Sequence, residues 1–281
     1  MNLVKLAGLI LVVLALSACD RFQKNIEVDL PDYESELVVE SYLKQGKPIT
    51  VLLTKSSTYF GEVGLPQIPD AEVTINGYGH SSFSTKLYYR SNVPFIPGEY
   101  YNYQSDMNLP YYGENSYYLL TIRDNKTGQV ITGKTEFLLT PYIESIEARF
   151  RESDNKAFLL VKFQDVEPDK RNYYRLLVQK KLDDGKRKLV NDIKFEGNVK
   201  TNNQIAIGTN YELQEGDEAQ VRLFHLSKEY YDFLRTMDNA KQSNQNPFTQ
   251  PTPVKSTVDG GLGVFTFLAF DERMFVVVKD E

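Results

Sequence analysis

The chain has 281 residues, 41% of them apolar, which is enough for proper hydrophobic cores. Its formal charge is −6, from 32 basic and 38 acidic residues, and that sign argues against a nucleic-acid backbone as partner. One cysteine and two histidines leave no disulfide and almost no material for a zinc site or a thiol nucleophile.

Residues 1–18 read as an export signal. Lys5 supplies the positive start, Leu6 to Leu16 is an apolar run, and Leu16-Ser17-Ala18-Cys19 ends it in the pattern of a bacterial lipobox. The mature chain then begins at Cys19, which carries acyl chains; each buried methylene adds about 0.8 kcal/mol, so two or three chains hold a protein on a bilayer. The run is too short for the ~20 residues of a spanning helix, so the membrane partner is reached through a lipid anchor. An ordinary cleaved signal is the plainer alternative, yet Cys19 has no other cysteine to pair with. Residues 19–35 are polar, carry Pro31, and read as a tether.

From Glu36 the grammar is that of a β protein. Strands are expected at Leu37–Leu43, Ile49–Thr54, Ala71–Ile75, Tyr117–Ile122 and Gln129–Thr135. Turns are expected at Gln45-Gly46-Lys47-Pro48, Asn76-Gly77 and Asn125 to Gly128. Thr140-Pro141 marks a boundary, after which strands recur at Ile143–Phe150, Ala157–Phe163, Tyr173–Lys181 and Ala219–Leu226, with Asp183-Asp184-Gly185 as a hairpin turn. The expected architecture is therefore two consecutive antiparallel β-sandwich domains of immunoglobulin or fibronectin type, 36–140 and 141–281. Ser227 caps a single helix near 228–241, in which Tyr230, Phe233, Leu234 and Met237 form an apolar stripe that belongs to the core.

Candidate sites are few. His80 lies in a Gly/Ser-rich loop and His225 in a strand, neither with a second ligand at metal spacing. Asp165-Val-Glu167-Pro-Asp169 places three carboxylates at alternating positions but lacks the glycine and distal glutamate of a calcium loop. Asp259-Gly260-Gly261-Leu262-Gly263 precedes β-branched and aromatic residues, so it reads as a turn into a strand rather than a phosphate cradle. No catalytic residue, metal or cofactor is assigned. The tyrosines carry the binding hypothesis: nine of nineteen lie between Tyr88 and Tyr118, and Tyr100, Tyr101, Tyr103, Tyr111 and Tyr112 occupy a stretch too irregular for continuous strand. The Asn246-Pro247-Phe248 loop is the next candidate.

Taken in order, Ile26 to Pro31, Glu36 to Tyr42, Val51 to Ser56, Pro69 to Val73, Asn172 to Arg175, Asn246 to Phe248 and Gly260 to Phe265 resemble the DUF4249 family of Bacteroidetes lipoproteins. The resemblance implies an outer-membrane location and a TonB-dependent receptor as partner, and it brings no catalytic residues. The single acidic residue in Asp20-Arg21-Phe22-Gln23, where that phylum often has an acidic cluster, leaves both faces of the membrane open. The expected function is non-enzymatic capture of an unnamed ligand or partner for an uptake system. A structural or adhesive envelope lipoprotein is the alternative, and a hydrolase the third reading.

Overall fold

The computed structural model describes residues 35–57, 66–91, 100–197, 203–245, 250 and 252–279. Cys19, the tether up to Glu34 and the Asn246-Pro247-Phe248 loop lie outside these described residues. Ser35–Glu281 is one compact unit. It is mainly β, with sixteen strands and one helix among the described residues.

The first strands are β1 (Leu37–Leu43), β2 (Pro48–Lys55), β3 (Ala71–Tyr78), β4 (Ser82–Tyr89), β5 (Tyr103–Asn108), β6 (Tyr117–Asp124) and β7 (Val130–Glu136). Next come β8 (Ile143–Phe150), β9 (Ala157–Gln164), β10 (Tyr173–Lys181), β11 (Arg187–Glu196), β12 (Gln204–Gly208) and β13 (Glu218–Leu226). The helix α1 (Lys228–Gln245) precedes β14 (Val258–Asp259), β15 (Leu262–Phe267) and β16 (Ala269–Val276).

In place of a first sandwich, nine strands join in one sheet, in the order β14-β7-β6-β3-β4-β5-β2-β1-β15. Its end strands β14 and β15 are the two arms of one hairpin, so the sheet nearly closes into a barrel. Phe267 donates its amide to Thr135 Oγ1 (3.0 Å) and Phe265 donates to Thr257 Oγ1 (2.7 Å) along the seam. Period-two alternation drives the closure: Leu37, Val39, Leu53, Ile75, Leu120, Ile131 and Phe265 all point inward and are buried. Val258–Phe267, expected in the second half of the chain, therefore completes the sheet built by the first.

β15 lies parallel to β1, from Val38 opposite Leu262 to Leu43 opposite Phe267. This ladder needs glycine. At Gly263, φ is +123°, and a Cβ would stand 1.9 Å from the Val39 carbonyl oxygen. The Asn76-Gly77 pair, by contrast, is not a turn: β3 runs straight through it to Tyr78. The Phe83 ring occupies the space a Cβ on Gly77 would need, 2.0 Å away, so this glycine serves packing rather than chain reversal.

The second module has two layers. A three-stranded sheet, β12-β9-β8, faces a four-stranded sheet, β11-β10-β13-β16, across a core that includes Leu159, Val161, Phe163, Tyr174, Leu176, Val221 and Leu223. Ser227 Oγ accepts the Tyr230 amide (3.2 Å), so α1 starts where its cap predicts. Its buried Tyr230, Tyr231 and Leu234 sit in a third core with Phe224 and Leu226 of β13, Val264 of β15 and the flanking Tyr42 of β1. The helix thus joins barrel to layers. Among the described residues no helix is long and apolar enough to cross a membrane.

Candidate functional site

The five expected binding tyrosines fall at two ends of the barrel. Tyr100 and Tyr101 precede β5 while Tyr111 and Tyr112 follow it; six strand residues at ~3.4 Å each set the groups roughly 20 Å apart. Tyr103 is 1% exposed and belongs to the core, a correction to its expected surface role. Its hydroxyl donates to the Ile68 carbonyl (2.5 Å) and accepts the Ala71 amide (3.1 Å), pinning the entry to β3. Beside it, buried Asn102 bonds both the Leu53 amide (2.8 Å) and the Leu53 carbonyl (2.7 Å). Tyr112 is also core: it is 8% exposed and stacks on Phe83 with ring centroids 5.9 Å apart. Tyr100 and Tyr101 are half-buried.

Tyr111 is different. It is 81% exposed, and its ring rests on the β1–β2 turn, where a Cβ on Gly46 would come 2.5 Å from the tyrosine hydroxyl. The same barrel end carries Tyr78, since the turn after β3 bonds Tyr112 through Ser81 (3.3 Å). Tyr78 stacks on Tyr117 at 4.9 Å and 16°, and the Lys134 ammonium lies 5.1 Å over Tyr117. Tyr111, Tyr78 and Tyr117 form an aromatic rim with polar tips, which is the candidate recognition surface. Tyr78 escapes the sequence reading because Asn76-Gly77 reads as a turn, and Tyr117 because it heads an expected strand. Their outward phase, with Thr74, Asn76, Leu119 and Thr121, was the available signal.

The barrel interior is filled rather than open. At Gly133 a Cβ would lie 3.0 Å from the Phe265 ring, and Tyr118 stacks on Phe267 at 5.8 Å. Burial pushes the Tyr118 phenol up to about 12, and neutrality suits a hydroxyl with no partner among the described residues.

Two polar clusters mark the junction of barrel and layers. Arg175 makes a bidentate pair with Asp192 (2.7 and 2.9 Å), and Lys194 bridges Asp192 (2.9 Å) to Asp238 of α1 (2.7 Å). Burial works against the Asp192 charge, but bonds from Arg175 and Lys194 outweigh it and hold the carboxyl below its usual range. These charges satisfy one another and clamp the helix. In the second cluster Asp165 accepts from Asn172 (2.5 Å) and from the Tyr174 hydroxyl (2.6 Å), whose own pKa is driven up first by burial and then by that carboxylate. Glu167 pairs with Lys170 at the surface and Asp169 is exposed, so the three carboxylates do not converge.

His80 is exposed, whereas His225 is 3% exposed with Nδ1 at 3.0 Å from the Leu139 carbonyl in the connection between barrel and layers. Among the described residues no group of three or more His, Cys, Asp or Glu could hold a metal ion. No curated protein matches this chain. A family model described as "Domain of unknown function (DUF4249)" matches residues 23–273, so the chain belongs to the DUF4249 family.

Proposed function

We propose that this protein is a lipid-anchored outer-membrane lipoprotein that captures a ligand or partner for a TonB-dependent uptake receptor, without catalysing a reaction. The lipobox at Cys19 supports the anchor, and its family resemblance supports the receptor. The observation that carries the binding role is Tyr111, whose large amphipathic ring stands open at 81% exposure on a turn shaped around it. Such a residue adds contact area at low entropic cost, the property that makes tyrosine frequent at binding hot spots. For the second module, the order β12-β9-β8 facing β11-β10-β13-β16 supports an immunoglobulin- or fibronectin-like reading, a scaffold that presents surfaces rather than a defined chemistry.

The test is affinity purification of the tagged protein from native membranes. A single receptor should dominate the eluate, and replacing Tyr111 and Tyr78 by serine should reduce its recovery at least tenfold with little change in melting temperature. Fatty-acid labelling of the same preparations should disappear in Cys19→Ser. Undiminished receptor recovery from the double variant would remove the rim from the binding role, and persistent labelling would remove the anchor.

A further inference from the structure

A sheet edge exposes unpaired backbone groups, and natural proteins blunt edges with charge, bulges or shortness. Three of the four edges in the second module follow that rule. β11 carries Arg187, Lys188 and Lys194 and slips register against β10 at Val178/Gln179. β8 is bulged between Ile143 and Ser145, and β12 has five residues.

β16 has no bulge, and its charges, Asp271, Glu272 and Arg273, sit in the middle of the strand and leave Met274 to Val276 uncharged. Its ladder with β13 runs unbroken from Ala269 to Val276. Met274 and Val276, followed by Val278, are 55%, 53% and 53% exposed. Backbone phase completes the picture: Val277 donates to Asp217 O (2.9 Å) and accepts from Gly216 N (2.8 Å), so its polar groups face β13. Antiparallel alternation then turns those of Glu272, Met274 and Val276 outward, toward an edge that pairs with no further strand among the described residues.

We propose that this edge pairs with the same edge of a second copy of the chain, antiparallel and centred on Phe275. Four strands from each copy then make one continuous sheet about a twofold axis. Side chains share faces across such a pair only when the axis passes through a residue, and charge selects which one. An axis at Arg273 sets two guanidinium groups face to face. One at Met274 leaves Asp271 with no cation opposite it, and one at Val276 sets Arg273 against the partner's Lys279. Centred on Phe275, Arg273 also lies opposite the partner's Val277, but Met274 meets the partner's Val276 twice over and Asp271 meets the partner's Lys279, an opposite-charge pair that the registers at Arg273, Met274 and Val276 lack. Asp271 already accepts the Ile143 amide (2.9 Å) and pairs with Arg273 (3.1 Å), so the incoming ammonium joins a fixed carboxylate.

Native membranes holding chains with Met274→Cys, chains with Val276→Cys, or both, test the register by mild oxidation. The mixed membranes should give a disulfide-linked dimer, and either variant alone should give at least tenfold less. Sedimentation of the full mature chain in detergent should show a dimer, and Met274→Lys with Val276→Lys should convert it to monomer. Both sites are exposed, so the substitutions leave folding intact, as circular dichroism will check. A monomeric wild type, a dimer indifferent to the double lysine change, or equal cross-linking in all three membranes overturns the proposal.

Discussion

Tyr103→Phe separates a structural tyrosine from a recognition tyrosine more cleanly than any truncation. The change keeps the ring, its inward position and its edge contact with Tyr89 (centroids 5.6 Å, 68°), and removes one oxygen. That oxygen satisfies two backbone groups, the carbonyl of buried Ile68 and the amide of half-buried Ala71. A buried group left unpaired costs about 1–3 kcal/mol, and the Ala71 amide recruits some water, so the loss should be about 2–4 kcal/mol. For a unit of this size each kcal/mol lowers the melting temperature by about 2–4 °C, which predicts a fall of roughly 4–16 °C. Thermal melts followed by circular dichroism suffice, with Tyr111→Phe as the paired control. The control removes a hydroxyl from an 81% exposed ring and should stay within about 0.5 kcal/mol of wild type. A Tyr103→Phe melt within about 1 °C of wild type, or a more damaging Tyr111→Phe, would refute the assignment of Tyr103 as a pin.

Two further outcomes follow from the same geometry. Gly263→Ala should destabilise the chain more than Gly128→Ala in urea titrations: both have positive φ, at about 1–3 kcal/mol for strain alone, but only the Gly263 Cβ meets a backbone oxygen, at 1.9 Å. Equal losses would show that the parallel ladder tolerates the intrusion. For His225, burial lowers the pKa more than the Leu139 bond and the nearby Glu167 and Asp165 raise it. The unfolded chain therefore takes the proton first, and stability that is full above the ordinary histidine pKa of about 6.5 falls as pH drops through the depressed value. His225→Asn should flatten the decline in melting temperature between pH 7.5 and 5; an unchanged slope would assign it to other groups.

What the sequence disclosed, it disclosed through local rules. β1, β8 and β10 fall on the residues their alternation marks, Gly46, Gly128 and Gly185 take positive φ in the expected turns, and Ser227 caps the helix. The misses share a cause, which is that distant chain decides local meaning. Asn76-Gly77 carries a strong hairpin signal, yet Phe83 packing over the missing Cβ keeps the strand straight. Residues 103–108 read as irregular because the period-two pattern there is carried by Tyr103 and Ser105, whose polar tips suggest surface although their hydrogen bonds let both be buried. For the candidate site, density of tyrosine drew attention to the right region but could not tell a pin from a platform. Burial sorted Tyr103 and Tyr112 inward and left Tyr111 out.

The closure of the barrel was beyond any local reading, and it changes what counts as a functional unit. β15 pairs with β1 across more than two hundred residues of chain, and a single residue, Leu268, separates it from β16 of the four-stranded sheet. Leu268 donates its amide to the Leu43 carbonyl (2.8 Å) at the crossing. The strand that seals the first module therefore runs directly into the exposed edge of the second. Parallel pairing at such separation forms only after the intervening chain is ordered, because loop-closure entropy opposes it until neighbouring contacts exist. Barrel and layers are thus coupled through one continuous stretch, Leu262–Val276, and through the core beneath α1. The two modules are therefore joined by hydrogen-bonded strand rather than by a linker. In the proposed capture role this continuity matters, because the proposed binding at the tyrosine rim near Leu43 and the proposed pairing at the β16 edge share that stretch.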